Sequence, residues 1–439
     1  MSGLALVAGA LGAEVTGSDR AESPTLTRLR DAGCEAVVGH DAANVPPDAE
    51  VVYSTAIPVD NPERAVARER GQLELHRADL LAEITALRRC IAVTGTHGKT
   101  TTSSMVVHAL RGCGMDPGYL VGGEVRSTGS NAGWGAGEWV VVEADESDRS
   151  LLKLHPDVAV LTNAELDHHS TYSSRLDVDE TFRQFLARAR EGIVVWDRLE
   201  LTALAPAHGM ADIVLGDGTI VEVKRYTAYD VPDPTLDAQG IRFDWRGIRV
   251  QLGVPGAHNA LNAAAALEAA RLAGADPAQA AAALADFQGA GRRFELLGTT
   301  TTGAQVYDDY ALHPTAVAAT IAAARTLAPR RVVAVFQPHL YSRTRALARD
   351  FGRALAAADL VVVLDVYKAR ERPEDFPGVD GKLIADAAAD AARGRTVAWL
   401  PAFDDAEAFL RANLRKGDVC LAMGAGDVDR LGRRLVTER

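Results

Sequence analysis

Cysteine is scarce in this chain. Its 439 residues include four, Cys34, Cys90, Cys113 and Cys420, with no CxxC pair, so neither a metal ribbon nor a disulfide framework is expected. Three of them sit in or beside apolar runs and read as buried free thiols. Long apolar runs are also missing. None approaches the roughly 18 to 20 residues that span a bilayer, and the opening MSGLALVAGALGAEVTGSD lacks the basic stretch of a secretory signal. The expectation is a cytoplasmic protein with no membrane insertion. Excess positive charge is the third absence. With 47 basic against 59 acidic residues the formal net charge is −12, which argues against a nucleic-acid surface. An anionic ligand must then be met by local groups.

The length exceeds one ordinary core, so two or three domains are expected, and 47% hydrophobic with 24% charged residues is a globular composition. The stretch that organises the rest is CIAVTGTHGKTTTSSM, Cys90 to Met105. An apolar strand runs into a turn built on Gly95 and Gly98, and Lys99 with three threonines opens a helical pattern. Strand, glycine turn and helix make a phosphate-binding loop: backbone N–H groups converge on the anion, the helix N-terminus adds partial positive charge, and the Lys ammonium reaches the outer phosphates. Thr100 is placed to hold Mg²⁺. The general motif has four residues between its glycines, and this loop has only Thr96 and His97.

Before this loop, residues 1 to 87 open inside a helix and then alternate strand and helix patterns: a strand ending at Asp19, a helix capped by Ser23 and Gly33, then runs at 34–40, 49–57 and 73–81. They read as a nucleotide-binding half sheet. After the loop, GEWVVVEADESD (137–148) is a buried strand ending in acids, a pattern that meets Mg²⁺ in many phosphate-loop enzymes. PDVAVLTNAELDHHSTY (156–172) repeats it with Asn163, Asp167, His168 and His169. VPGAHNALN places His258 and Asn259 at the start of an Ala-rich helix ending at Gly274, and Arg292 and Arg293 mark a hinge. Residues 294 to 439 form a third α/β block, with Asp308, Asp309, His339, Asp365 and Asp427 at the carboxyl ends of its strands.

Taken together, GTHGKTTT (95–102), EADESD (143–148), TNxxxDH (162–168), PGxHNxxNAxAA (255–265), GxGRRFE (289–295), DDYxxHPT (308–315) and FQPHLYSRT (336–344) stand in the order of the Mur ligase family, which the chain resembles over nearly its whole length. The resemblance implies an α/β protein of three domains: an N-terminal Rossmann-like UDP-binding domain (1–87), a central ATPase domain with a mostly parallel sheet (88–293) and a C-terminal Rossmann-like amino-acid domain (294–439). It implies ATP and two Mg²⁺ ions, with UDP-N-acetylmuramate and L-alanine as substrates, in a monomer or homodimer. By the same resemblance Gly95, Thr96, His97, Gly98, Lys99, Thr100, Thr101, His258, Asn259, Arg293 and Asp309 bind the nucleotide. Thr100, Glu143 and His168 hold metal, and Lys99, His168, Arg293, His339 and Arg343 are catalytic, the last two receiving the carboxylate of alanine.

The chain departs from the family pattern in four places. The family opens with a strand and a GxGGxGM loop, of which only the last residues stand here, so a native start upstream of Met1 is expected. Leu312 replaces the first His of DYxHHP, Ala316 an acidic residue, and Ser170 the last Asp of DHxD. Three rival readings are a murein peptide ligase, which HPTA suits, a non-catalytic nucleotide or UDP-sugar regulator, and a signalling phosphate-loop NTPase. FQPHLYSRT favours the alanine enzyme, intact Lys99, Glu143, His168 and Arg343 disfavour a regulator, and the Arg/His set of the third block is unexplained by an NTPase.

Overall fold

The computed structural model describes residues 1–169, 171–205, 213–214, 220–221 and 225–437. Ser170, one of the departures above, lies outside them. At the N-terminus the helix Ser2–Ala10 precedes alternating short strands and helices. Ser23 caps Pro24–Asp31 by accepting the Leu26 N–H, and Gly33 follows in the left-handed region. The expected half sheet takes the form of two separate parallel ladders. Thr16–Asp19 pairs with Glu35–Val38, and Val51–Tyr53 with Glu74–His76. No described strand stands between them to hydrogen-bond both.

The central block is a seven-stranded sheet. Its order across the sheet is Arg225–Tyr229, Gly192–Trp196, Val158–Leu161, Arg89–Thr94, Trp139–Glu143, Gly118–Val125 and Ser130–Gly133. All neighbours are parallel except the last pair. Residues Cys90 to Val93 are shielded on both faces, which is why the sequence reads as an unbroken apolar run. On one face the helices Lys99–Gly112 and Ala257–Leu272 pack together. The Ala-rich tract is a packing device, since Ala260, Ala263, Ala264 and Ala270 are wholly buried and only small residues let two backbones approach so closely. The opposite face is covered by Arg175–Ala187 and part of Arg77–Ala86.

The C-terminal block is a six-stranded sheet ordered Glu295–Thr299, Gln305–Asp309, Asp418–Met423, Arg331–Phe336, Leu360–Val363, Thr396–Trp399. Only its first pair is antiparallel. The carboxyl ends of the parallel strands therefore share one edge, as the polar residues following each run suggested. Cys34, Cys90 and Cys420 are buried and Cys113 is partly so, all four as free thiols. No helix among the described residues is long and apolar enough to cross a membrane.

Candidate functional site

The carboxyl edges of the two large sheets face one cleft of about 1340 Å³. At its floor, Arg89–Thr94 turns through Gly95 (φ 130°) and Gly98 (φ 80°) into Lys99–Gly112. Both glycines are required twice over. A Cβ on Gly95 would lie 2.2 Å from Thr162 Oγ1, and one on Gly98 would lie 2.5 Å from Asn262 Oδ1, in a backbone region that L side chains rarely adopt. Asn163 fastens the turn from the neighbouring strand end: its Oδ1 accepts the His97 N–H at 2.9 Å, and its Nδ2 donates to the His97 carbonyl at 2.9 Å. Asn262, the helix-face residue one turn after His258, thus packs against the loop itself. This backbone cradle at a helix N-terminus fits a phosphate chain.

Acidic groups crowd the loop. The Lys99 ammonium lies 3.0 and 2.8 Å from the two Glu146 oxygens. Burial works to lower its pKa, and the carboxylates of Glu146, Glu143 and Asp145 outweigh burial and raise it, so the charge is firmly held. Thr100 donates from Oγ1 to Glu143 at 2.9 Å, and the Gly122 N–H donates to the same carboxylate oxygen at 2.7 Å. His168, at a left-handed φ of 51°, places Nε2 3.4 Å from Glu146. A hydroxyl, two carboxylates and an imidazole next to a phosphate cradle suit a hard divalent ion with part of its water shell retained.

The hinge and the C-terminal block also reach this group. Arg293 donates to Thr100 Oγ1 at 3.1 Å, its guanidinium over the Tyr310 ring. Arg343 forks onto Asp167, Nε to Oδ1 at 2.9 Å and a terminal nitrogen to Oδ2 at 3.1 Å, with both side chains under 5% exposed. Burial would raise the Asp167 carboxyl, but the charges of Arg343 and His168 prevail and hold it well below the usual carboxylate range. His339 Nδ1 sits 3.0 Å from the same guanidinium. Burial first, then Arg343, pushes His339 down to about 4, so the imidazole is neutral. Asp309 is turned inward, accepting the Phe294 N–H at 2.8 Å and the Thr320 hydroxyl at 3.2 Å, and so anchors the hinge. His258 and Asn259 line the cleft at the start of Ala257–Leu272, and Leu312 lines it beside His313.

Three consecutive matches span the chain: "Mur ligase family, catalytic domain" over residues 1–89, "Mur ligase middle domain" over 93–270, and "Mur ligase, glutamate ligase domain" over 292–426. A ligase of Rubrobacter xylanophilus named UDP-N-acetylmuramate--L-alanine ligase is 45% identical, over 99% of this chain and 97% of its own length. The chain belongs to the Mur ligase family. A protein of the same name from Kineococcus radiotolerans is 46% identical over 98% of this chain and 92% of its own. Among solved structures, the UDP-N-acetylmuramate-alanine ligase of Thermotoga maritima superposes with a TM-score of 0.81 at 27% identity, covering 99% of this chain and 95% of that one. A murein peptide ligase of Psychrobacter arcticus matches with a TM-score of 0.69 at 25% identity, over 99% of this chain and 95% of that one.

For this Mur ligase the structure brings together most of the residues that the sequence singled out. Lys99, Thr100, Glu143, His168, Arg293, His339 and Arg343 all line the cleft or touch a residue that does. The sequence reading overlooked Glu146 as the partner of both Lys99 and His168, Asp167 as the partner of Arg343, and Glu165. All three follow the buried strands 139–143 and 158–161 within eight residues; Glu146 and Asp167 also stand inside the EADESD and TNxxxDH motifs, whereas Glu165 had only its position as a signal.

Proposed function

We propose that this Mur ligase joins L-alanine to the lactyl carboxylate of UDP-N-acetylmuramate, using ATP and Mg²⁺, as a step in making peptidoglycan precursors. What supports the reaction is the convergence on one cleft of a phosphate cradle, a carboxylate-rich metal position and an Arg/His pair. The choice of substrates rests on near full-length likeness to ligases named for them. When bound, ATP supplies the phosphoryl group that turns the unreactive carboxylate into an acyl phosphate open to attack by the amine.

The remaining work belongs to the chain. Gly95, Thr96, His97, Gly98, Lys99, Thr100 and Thr101 cradle the phosphates through backbone N–H groups and the ammonium. His258 and Asn259 take the adenine side, and Asp309 holds the hinge that delivers Arg293 to the phosphate end. Thr100, Glu143 and His168 would hold two Mg²⁺ ions, whose charge, when bound, would offset the negative charge of carboxylate and phosphate. Arg343 and His339 orient the incoming amino acid by its carboxylate. For this to happen the Arg343 fork must be shared with, or released from, Asp167. Residues 1–87 hold the UDP-sugar, 88–293 the ATP and 294–439 the amino acid.

The test is phosphate release from ATP and Mg²⁺ with UDP-N-acetylmuramate, with and without L-alanine. Alanine-dependent release that disappears in Lys99→Ala is expected. Release that needs a murein tripeptide in place of alanine would move the assignment to a murein peptide ligase, the reading that the Psychrobacter structure suits.

A further inference from the structure

Beside the phosphate loop, three side chains from two domains meet at spacings that the reaction does not explain. His97 Nε2 lies 3.4 Å from Glu165 Oε2, and His313 Nδ1 lies 3.5 Å from the same oxygen. The two imidazole centroids are 4.7 Å apart. Among the described residues these three form a group whose metal-ligating atoms all lie within 4.8 Å of one another.

A plain hydrogen-bonded cluster accounts poorly for this geometry. Both contacts exceed the roughly 2.7 to 3.2 Å of a good N–H···O bond, and Glu165 Oε2 already accepts the Thr315 hydroxyl at 2.7 Å. The Thr315 N–H that caps onto His313 Nδ1 is also long, at 3.4 Å. By contrast, a tetrahedral ion with ligands about 2.0 to 2.1 Å away has ligand-to-ligand edges of about 3.4 Å. The donors are held in place as a metal site requires. Thr162 and Asn163 clasp the His97 carbonyl at 2.6 and 2.9 Å, the Glu165 N–H donates to Thr96 Oγ1 at 2.8 Å, and the His313 side chain is only 8% exposed.

We propose that His97 Nε2, Glu165 Oε2 and His313 Nδ1 form a three-ligand site for a Zn²⁺-class divalent cation, with cleft water at the fourth corner. Two imidazoles and one carboxylate select such an ion over Mg²⁺, so the site is separate in place and preference from the one at Thr100, Glu143 and His168. Two ligands come from the middle domain and one from the C-terminal domain. Bound metal therefore staples the two domains together and fixes the His97 turn of the phosphate loop, favouring the joined arrangement by mass action.

The experiment uses the full chain, treated with chelator and kept in excess Mg²⁺ without nucleotide, and titrates Co²⁺ and then Zn²⁺. The wild type should give the visible absorption of tetrahedral Co²⁺ at one equivalent, displaced by Zn²⁺, together with a Zn²⁺-dependent rise in melting temperature. His313→Ala and the near-isosteric Glu165→Gln should each lose the band and weaken Zn²⁺ binding by at least about 100-fold, beyond the 10- to 100-fold typical of losing an outer-shell partner. His168→Ala should keep the band. Absence of a tetrahedral band in the wild type, its survival in Glu165→Gln, or its loss in His168→Ala would overturn the proposal.

Discussion

Two adjacent arginines divide the hinge between holding and reaching. Arg292, at a left-handed φ of 58°, turns back into the C-terminal sheet, where it pairs with Asp308 at 2.9 Å and donates to the Gly424 carbonyl at 3.0 Å. Asp308 is fully buried, and burial outweighs Arg292 and pushes its carboxyl up to about 6. Arg293 points the other way, to Thr100. Arg292→Ala should therefore destabilise the fold by about 3 to 5 kcal/mol, because a buried carboxylate loses its cation. Arg293→Ala should cost less stability, about 1 to 2 kcal/mol, because Arg293 is the charge facing the buried Asp309, yet cut turnover by about 100-fold or more, as loss of one charge-stabilising donor does. Denaturant melts and phosphate release on both variants make the comparison. Equal stability losses would mean that the hinge has been misread.

At the scale of the element, the phosphate loop depends on backbone that only glycine adopts without strain. Gly95→Ala should destabilise by about 1 to 3 kcal/mol and abolish nucleotide binding, since the new Cβ meets Thr162 Oγ1 at 2.2 Å. Gly114→Ala, also at positive φ but with nothing within 4 Å, should cost only about 1 kcal/mol and leave nucleotide affinity intact. Thermal melts and binding of a fluorescent ATP analogue separate the two. The loop was legible in the sequence because strand, turn and helix are contiguous and each carries its own local signal. The same holds for the Ser23 cap and the Ala-rich helix. Pairings across the cleft were not legible. Asp167 and Arg343 lie 176 residues apart, and Thr315 and Glu165 lie 150 apart. No period or spacing reports such a contact, so the carboxylate-receiving role that the resemblance implies for Arg343 carries no sign of its buried partner. The division of the first block into two ladders was likewise invisible, because strand patterns do not state which strands pair.

At the scale of the whole molecule, the middle and C-terminal domains meet through buried imidazoles as well as the Arg343 to Asp167 bridge. Burial lowers His313 to about 4, with His97 adding to the effect and Asp167 and Glu165 opposing it; His339 is lowered to about 4 as well. An exposed imidazole titrates near 6.5, so between about 4 and 6.5 the unfolded chain binds more protons than the folded one. The stability that these groups allow is fully present above about pH 6.5 and is lost as pH falls toward 4. Melts at about pH 7.5, 6 and 5, on either side of the free imidazole value, should show it, and His313→Asn should flatten the slope. The chemistry proposed for the cleft is the joining of a carboxylate to an amine by way of an acyl phosphate. The most direct measurement labels the lactyl carboxylate of UDP-N-acetylmuramate with ¹⁸O, runs the reaction with ATP, Mg²⁺ and L-alanine, and weighs the phosphate released. One ¹⁸O is expected in each phosphate, because the amine displaces the carboxylate oxygen together with the phosphoryl group it accepted; unlabelled phosphate would contradict an acyl-phosphate route.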